Sequence, residues 1–162
     1  MLSNLDRLAR IAAARGLTAV LHPHVGTMVE NRAEVDQVLA GSTIPLCLDT
    51  GHLLIGGTDP LELTRQVPHR IAHTHLKDVD AALAARVRSG ELTYTEAVAA
   101  GMYVPLGAGD VDIAGIITTL QDNGFDGWYV MEQDTILAGE PAGAGPLADV
   151  RASVAFLQRV PA

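Results

Sequence analysis

The sequence predicts an α/β fold of short parallel strands alternating with helices, and two observations carry that expectation. Four short apolar runs, Val20-Leu21, Leu46-Cys47-Leu48, Ile71-Ala72 and Tyr129-Val130-Met131, are separated by segments with helical spacing. That is the pattern of parallel strands joined by crossover helices. Each run also ends in ionisable residues of metal-binding types: His22-Pro23-His24, Asp49-Thr50-Gly51-His52, His73-Thr74-His75 and Glu132. Parallel strands deliver their C-terminal ends to one edge of a sheet, so these residues are expected to converge on a single polar site.

In order, Leu2, Leu5, Leu8 and Ile11-Ala12 repeat at helical spacing and stop at Gly16, a C-cap residue, ahead of a strand over Leu17–Leu21. Asn31 caps a second helix with Val35, Val38 and Leu39 on its apolar face, ending at Gly41-Ser42. Pro45 opens the strand Leu46–Leu48. Asp59-Pro60 has the cap and first-turn chemistry of a helix whose body is Leu61 to Val67. Arg70–His75 reads as the third strand, Asp78 to Gly90 as an Ala-rich helix, and Thr93 to Val98 as a short one. Gly107-Ala108-Gly109-Asp110 reads as a tight loop with Asp112 capping the helix that runs from Ile113 to Asn123. Trp128–Met131 is the fourth strand, Gly139 to Pro146 a surface loop, and Ala148 to Val160 a closing helix. No composition break divides residues 1–162, so one domain is expected.

Composition narrows the function. The chain of 162 residues is 48% hydrophobic but only 4% aromatic, so its core is built from Leu, Val, Ile and Ala. A net charge of −8 disfavours nucleic acid and anionic membrane as partners and suits a small, neutral or metal-bridged substrate. The single cysteine, Cys47, lies in an apolar run and reads as a buried, inert thiol. Met1 is followed by a charged amphipathic stretch, and no apolar run approaches a membrane span, which points to a cytoplasmic location.

Five of the six histidines fall at predicted strand ends, with His69 the exception. His22 and His24 alternate, as do His73 and His75, so each pair shares a face of its strand. Core packing does not produce such clustering, because a buried imidazole needs partners and a solvated one needs no strand end. Asp49-Thr50-Gly51 is also the tripeptide of aspartic proteases, but the helical surroundings and His52 oppose that reading. Asp49 is better read as a strand-end metal ligand, with His52 as a second ligand or a substrate contact; the plainer alternative is a turn cap. Glu132, ending a buried strand, needs a partner or a metal and is the best candidate for a ligand that also moves protons. Asp134 reads as its supporting partner or as a cap.

These segments together resemble a known group. Leu-His-Pro-His-Val-Gly-Thr, Leu-Asp-Thr-Gly-His-Leu, His-Thr-His-Leu-Lys-Asp-Val, Pro-Leu-Gly-Ala-Gly-Asp-Val-Asp and Gly-Trp-Tyr-Val-Met-Glu-Gln-Asp look like the xylose-isomerase-like TIM-barrel superfamily. Within it they are most similar to inosose dehydratases and related sugar isomerases and epimerases. The resemblance implies that the chain is four βα units, the C-terminal half of a (β/α)8 barrel that in full has about 250 residues. It implies a divalent metal ion such as Mn, Co or Zn, with Asp49, His75 and Glu132 matching three of the family's ligands. His22 stands where the family has a Glu, with His24 close by. That departure favours the dehydratase branch, because epimerases use two carboxylates on opposite faces of the substrate.

The reading that follows is a metal-dependent lyase or isomerase acting on an inosose, ketose or similar polyhydroxylated carbonyl compound. The metal would acidify the proton next to a bound carbonyl by stabilising an enediolate. Glu132 or His24 would transfer that proton, and Lys77 or a histidine would protonate the leaving hydroxyl. His52, His73 and Lys77 are expected to contact substrate. Three alternatives remain: a sugar isomerase or epimerase, a metallo-hydrolase resembling the apurinic endonucleases, and a non-catalytic half-barrel. Four βα units leave strand edges and an apolar face uncovered, so a homo-oligomer or a complementing N-terminal half-barrel is expected as partner.

Overall fold

The computed structural model describes residues 1–141 and 143–161. Its centre is a parallel sheet of β1 (Leu46–Asp49), β2 (Ile71–Leu76) and β5 (Tyr129–Met131), in the order β1-β2-β5. Asp49 lies beside His75, and His75 beside Val130, so the C-terminal ends of all three strands meet at one edge. Helices occupy the connections: α1 (Leu2–Ala13), α2 (Arg32–Gly41), α3 (Thr50–Ile55), α4 (Pro60–Gln66), α5 (Ala81–Arg88), α6 (Tyr94–Ala99), α7 (Ile113–Asp122) and α8 (Pro146–Leu157). A second, two-stranded antiparallel ladder pairs β3 (Asp78–Val79) with β4 (Tyr103–Val104).

The helix starts follow their capping residues. Asn31 and Thr93 each form a reciprocal capping box with Glu34 and Glu96. The carboxylates of Asp59, Asp80 and Asp112 accept backbone N–H groups of the first turns of α4, α5 and α7. Val35, Val38, Leu46, Leu48, Leu53, Leu63, Leu76, Ile113, Ile116 and Leu120 are buried between helices and sheet, forming the Leu/Val/Ile core that the composition predicted.

Three elements differ from expectation. The segment 17–21 does not form a strand: Leu21 makes one parallel bridge to Leu46, through bonds from Leu21 N–H to Pro45 C=O and from Cys47 N–H to Leu21 C=O. Proline at 23 and 45 removes donors on both sides of that rung, so the ladder stops there. The helix expected from Asp78 begins at Ala81, because Asp78-Val79 pairs with Tyr103-Val104 and Asp80 serves as N-cap. The residues after Asp49 form a short helix rather than a turn. Among the described residues, no helix is long and apolar enough to cross a membrane.

Candidate functional site

The tetrad Asp49-Thr50-Gly51-His52 builds the floor of the site. Asp49 ends β1, and its Oδ1 accepts the backbone N–H of His52 at 2.9 Å, capping α3. That cap fixes the carboxylate so that Oδ2 lies 3.1 Å from His22 Nε2, 3.3 Å from Lys77 Nζ and 3.6 Å from His75 Nδ1. Burial alone would raise the Asp49 pKa, but the His22 hydrogen bond, the Lys77 charge and the His52 N–H together hold it at about 2. The cap and the site therefore use different oxygens of one carboxylate.

The next three residues of the tetrad all serve Lys77. Thr50 Oγ1 donates to Lys77 C=O at 2.6 Å and accepts Lys77 N–H at 2.9 Å, clasping the end of β2 to α3. A side chain at Gly51 would collide with Lys77 Cβ at 2.8 Å and a Tyr103 ring carbon at 2.9 Å, so only glycine lets α3 come this close. His52 Nε2 accepts a hydrogen bond from Lys77 Nζ at 3.1 Å. Burial lowers the His52 pKa to about 3, so the ring is neutral and acts as an acceptor.

Lys77 itself sits at the centre of the charges. Its side chain is 3% exposed, and Nζ lies 2.7 Å from Glu132 Oε2, 3.0 Å from Asp134 Oδ2 and 3.3 Å from Asp49 Oδ2. Burial would pull its pKa down, but Asp49, Glu132 and Asp134 outweigh burial and raise it, which keeps the ammonium charged.

The remaining residues converge from the other strand ends. His75 Nδ1 lies 3.2 Å from Glu132 Oε1, and burial lowers the His75 pKa, leaving a neutral imidazole between two carboxylates. That nitrogen is buried without a well-formed hydrogen bond among the described residues, although carboxylate oxygens face it. Donor atoms of Asp49, His75 and Glu132 lie within 4.8 Å of one another. One imidazole nitrogen lacking a hydrogen bond, set between two carboxylate oxygens, suits a divalent transition ion. His22 joins Asp49 and His52, or Cys47 and His75, within the same spacing.

These groups open onto a cleft of about 610 Å3. It is lined by His22, His24, His75, Lys77, Glu132 and Asp134 together with Tyr94, Thr95, Val98, Thr135 and Ile136. His24 Nδ1 donates to Val25 C=O at 2.8 Å, and its Nε2 has no hydrogen bond among the described residues.

Two residues expected to touch substrate, His52 and His73, do not line this cleft. His52 is 1% exposed and stands behind the cleft wall, its ring 3.5 Å from that of His24 and 5.9 Å from that of Tyr94. His73 pairs with Cys47, two residues before the strand end and so about 6.6 Å deeper. It lines a separate cavity with Thr18, Val20, Asp126 and Trp128. Sequence reasoning missed Tyr94 and Thr95, because capping chemistry located their helix without showing which end faces the strands.

The sequence profile of xylose isomerase-like TIM barrels matches residues 1–160. The chain belongs to this family. Among curated relatives, the inosose dehydratase of Clostridium botulinum (strain Alaska E43 / Type E3) is 32% identical over 148 residues, which are 90% of this chain and 48% of the relative. That of Geobacillus thermodenitrificans is 34% identical over 149 residues, 90% of this chain and 49% of its own. The chain thus spans about half the length of the curated relatives it matches. A sugar phosphate isomerase/epimerase from Parabacteroides distasonis superposes with a TM-score of 0.66 at 20% identity, covering 98% of this chain and 51% of that one. A probable 3-DHS dehydratase from Bacillus anthracis gives 0.64 at 20% identity, covering 96% and 55%. At such identities these structures establish the fold: a partial xylose isomerase-like barrel whose three paired strands do not close.

Proposed function

We propose that the chain carries the metal-binding part of a lyase that dehydrates a polyhydroxylated ketone of the inosose type. The observation that carries this reading is the O, N, O donor set of Asp49, His75 and Glu132 beside a buried ammonium at one sheet edge. The inosose dehydratases among its relatives supply the substrate class. Asp49, His75 and Glu132 would hold a divalent ion, with His22 the next donor. Such an ion supplies Lewis acidity toward a carbonyl and its neighbouring hydroxyl, which makes the adjacent C–H acidic.

The side chains divide the remaining work by exposure and charge. Asp49 is 0% exposed and acts as a ligand only, whereas Glu132 is 33% exposed to the cleft and reaches the carbon that loses its proton. Lys77 stays charged among its carboxylates, so it offsets negative charge developing on the substrate oxygen rather than donating a proton. His24 is the acid: with Nδ1 anchored on the Val25 carbonyl, which orients the ring, Nε2 delivers the proton with which the β-hydroxyl leaves as water. The proton taken by Glu132 passes to solvent, and solvent reprotonates His24, so the cycle closes with loss of one water. An isomerase would share the first proton transfer and return the proton to the adjacent carbon.

The test follows exchange of the α-hydrogen of an inosose with solvent deuterium in the Mn2+-loaded protein. Glu132→Gln keeps an amide oxygen for coordination but cannot accept the proton, so exchange should fall ~100- to 10,000-fold while bound metal falls far less. Exchange at the parental rate in Glu132→Gln moves the base to another residue. Absence of exchange with any polyol-ketone counts against an enzyme reading.

A further inference from the structure

Lys77 is held at both its backbone and its ammonium. Its backbone is clasped by Thr50, its stem passes over Gly51, and its ammonium meets four acceptors: Asp49, Glu132, Asp134 and His52. An ammonium has three N–H donors, so one acceptor is in excess. Asp49 Oδ2 is the most distant of the four, at 3.3 Å, and is also a candidate metal ligand. If it turns to an ion, Lys77 keeps Glu132 Oε2, Asp134 Oδ2 and His52 Nε2, one acceptor for each donor.

We propose that Lys77 is a permanent internal cation of the metal centre and that Asp134, a positioning residue, keeps it in place and balances its charge. The inference rests on the divalent-ion reading given above. Three carboxylates against one ammonium leave the cluster with two net negative charges, the charge that a divalent ion neutralises with imidazoles as neutral ligands. Without Lys77 the site is one charge more negative and binds a divalent ion more tightly. Without Asp134 it is one charge short, and Lys77 leans on Asp49 and Glu132, the oxygens that the ion needs. The cation therefore weakens metal binding, and Asp134 offsets that effect without being a ligand.

Calorimetric titration of the full chain with Mn2+, Co2+ and Zn2+, at fixed pH and without substrate, tests this directly. Lys77→Met should bind more tightly by about tenfold or more, and Asp134→Asn more weakly by about tenfold, as expected for one unit charge at these distances. The double variant should return to within about threefold of the parent, since the two changes cancel. That rescue separates a charge-positioning role for Asp134 from a structural one, which would leave the double variant as weak as Asp134→Asn. Lys77→Met binding no more tightly than the parent, in a protein that does bind metal, overturns the proposal and leaves the metal-centre reading standing. Should Lys77→Met fail to fold, Asp134→Asn decides alone, because Asp134 is 43% exposed on the rim; unchanged affinity there overturns the proposal. A parent protein that binds none of the three ions overturns both the proposal and the reading beneath it.

Discussion

Asp49 does two jobs with two oxygens, and the jobs are separable by substitution. Oδ1 caps α3, while Oδ2 faces His22, Lys77 and His75. Asp49→Asn can keep its carbonyl oxygen on the His52 N–H and so preserve the cap, but it removes the charge. Asp49→Ala loses both, and the cap alone contributes about 1 kcal/mol. Both variants should lose metal in equilibrium dialysis, whereas thermal unfolding should place Asn above Ala. Full metal occupancy in either variant would remove Asp49 from the ligand set. At this scale the sequence was informative because ligand types at strand ends are rare without a reason. It was uninformative about Lys77 as the hub, since the alternation that places His73, His75 and Lys77 on one face does not reveal which one is enclosed by three carboxylates from two other segments.

Among the elements, the connection after β2 shows how an expected helix yields to a local hydrogen-bond network. Asp78 is 1% exposed, and its carboxylate accepts the backbone N–H groups of Val79, Gly107, Gly109 and Val111. These bonds tie the Gly107-Ala108-Gly109-Asp110 loop to the end of β2, next to Lys77. Helical propensity from Asp78 onward was legible, but three distant amides waiting for its carboxylate were not, so β3 replaced the expected first turn. The loop and the cap at Asp112 were legible because glycine spacing and a cap are local signals. A methyl group at Gly109 would collide with the Asp78 carboxylate, which explains the glycine where no left-handed backbone demands it. Asp78→Ala leaves buried amides unpaired and should cost several kcal/mol, at about 1–3 kcal/mol for each buried group left unsatisfied. Gly109→Ala should cost about 1–3 kcal/mol by overpacking. Chemical denaturation measures both, and a change under about 0.5 kcal/mol in Asp78→Ala, the range of an ordinary surface substitution, would show that the network is dispensable.

The whole molecule presents a parallel sheet covered by helices on one side, whereas parallel sheets are ordinarily buried on both faces. Thr18, Val20, His73 and Trp128 line a cavity on the uncovered side, and Trp128 is 77% exposed. On α1, which buries none of its residues fully, Leu8 and Ile11 are 57% and 44% exposed. Among the described residues, the edge beyond Leu21 carries a single rung, and β5 has a neighbour only on its β2 side. The curated relatives are about twice as long as the stretch they share with this chain. For this chain alone in solution, the expected cover is a second copy, with the two uncovered faces meeting. Trp128 is the only tryptophan, so its emission reports on that face without interference. Raising the concentration should increase the mass seen by light scattering and shift the emission to the blue together. Trp128→Asp should abolish both effects while leaving far-ultraviolet circular dichroism unchanged, because the side chain makes little contact within its own chain. A monodisperse monomer whose emission stays red at every concentration would refute self-association through this face, and the cleft would then have to work with that face open to water.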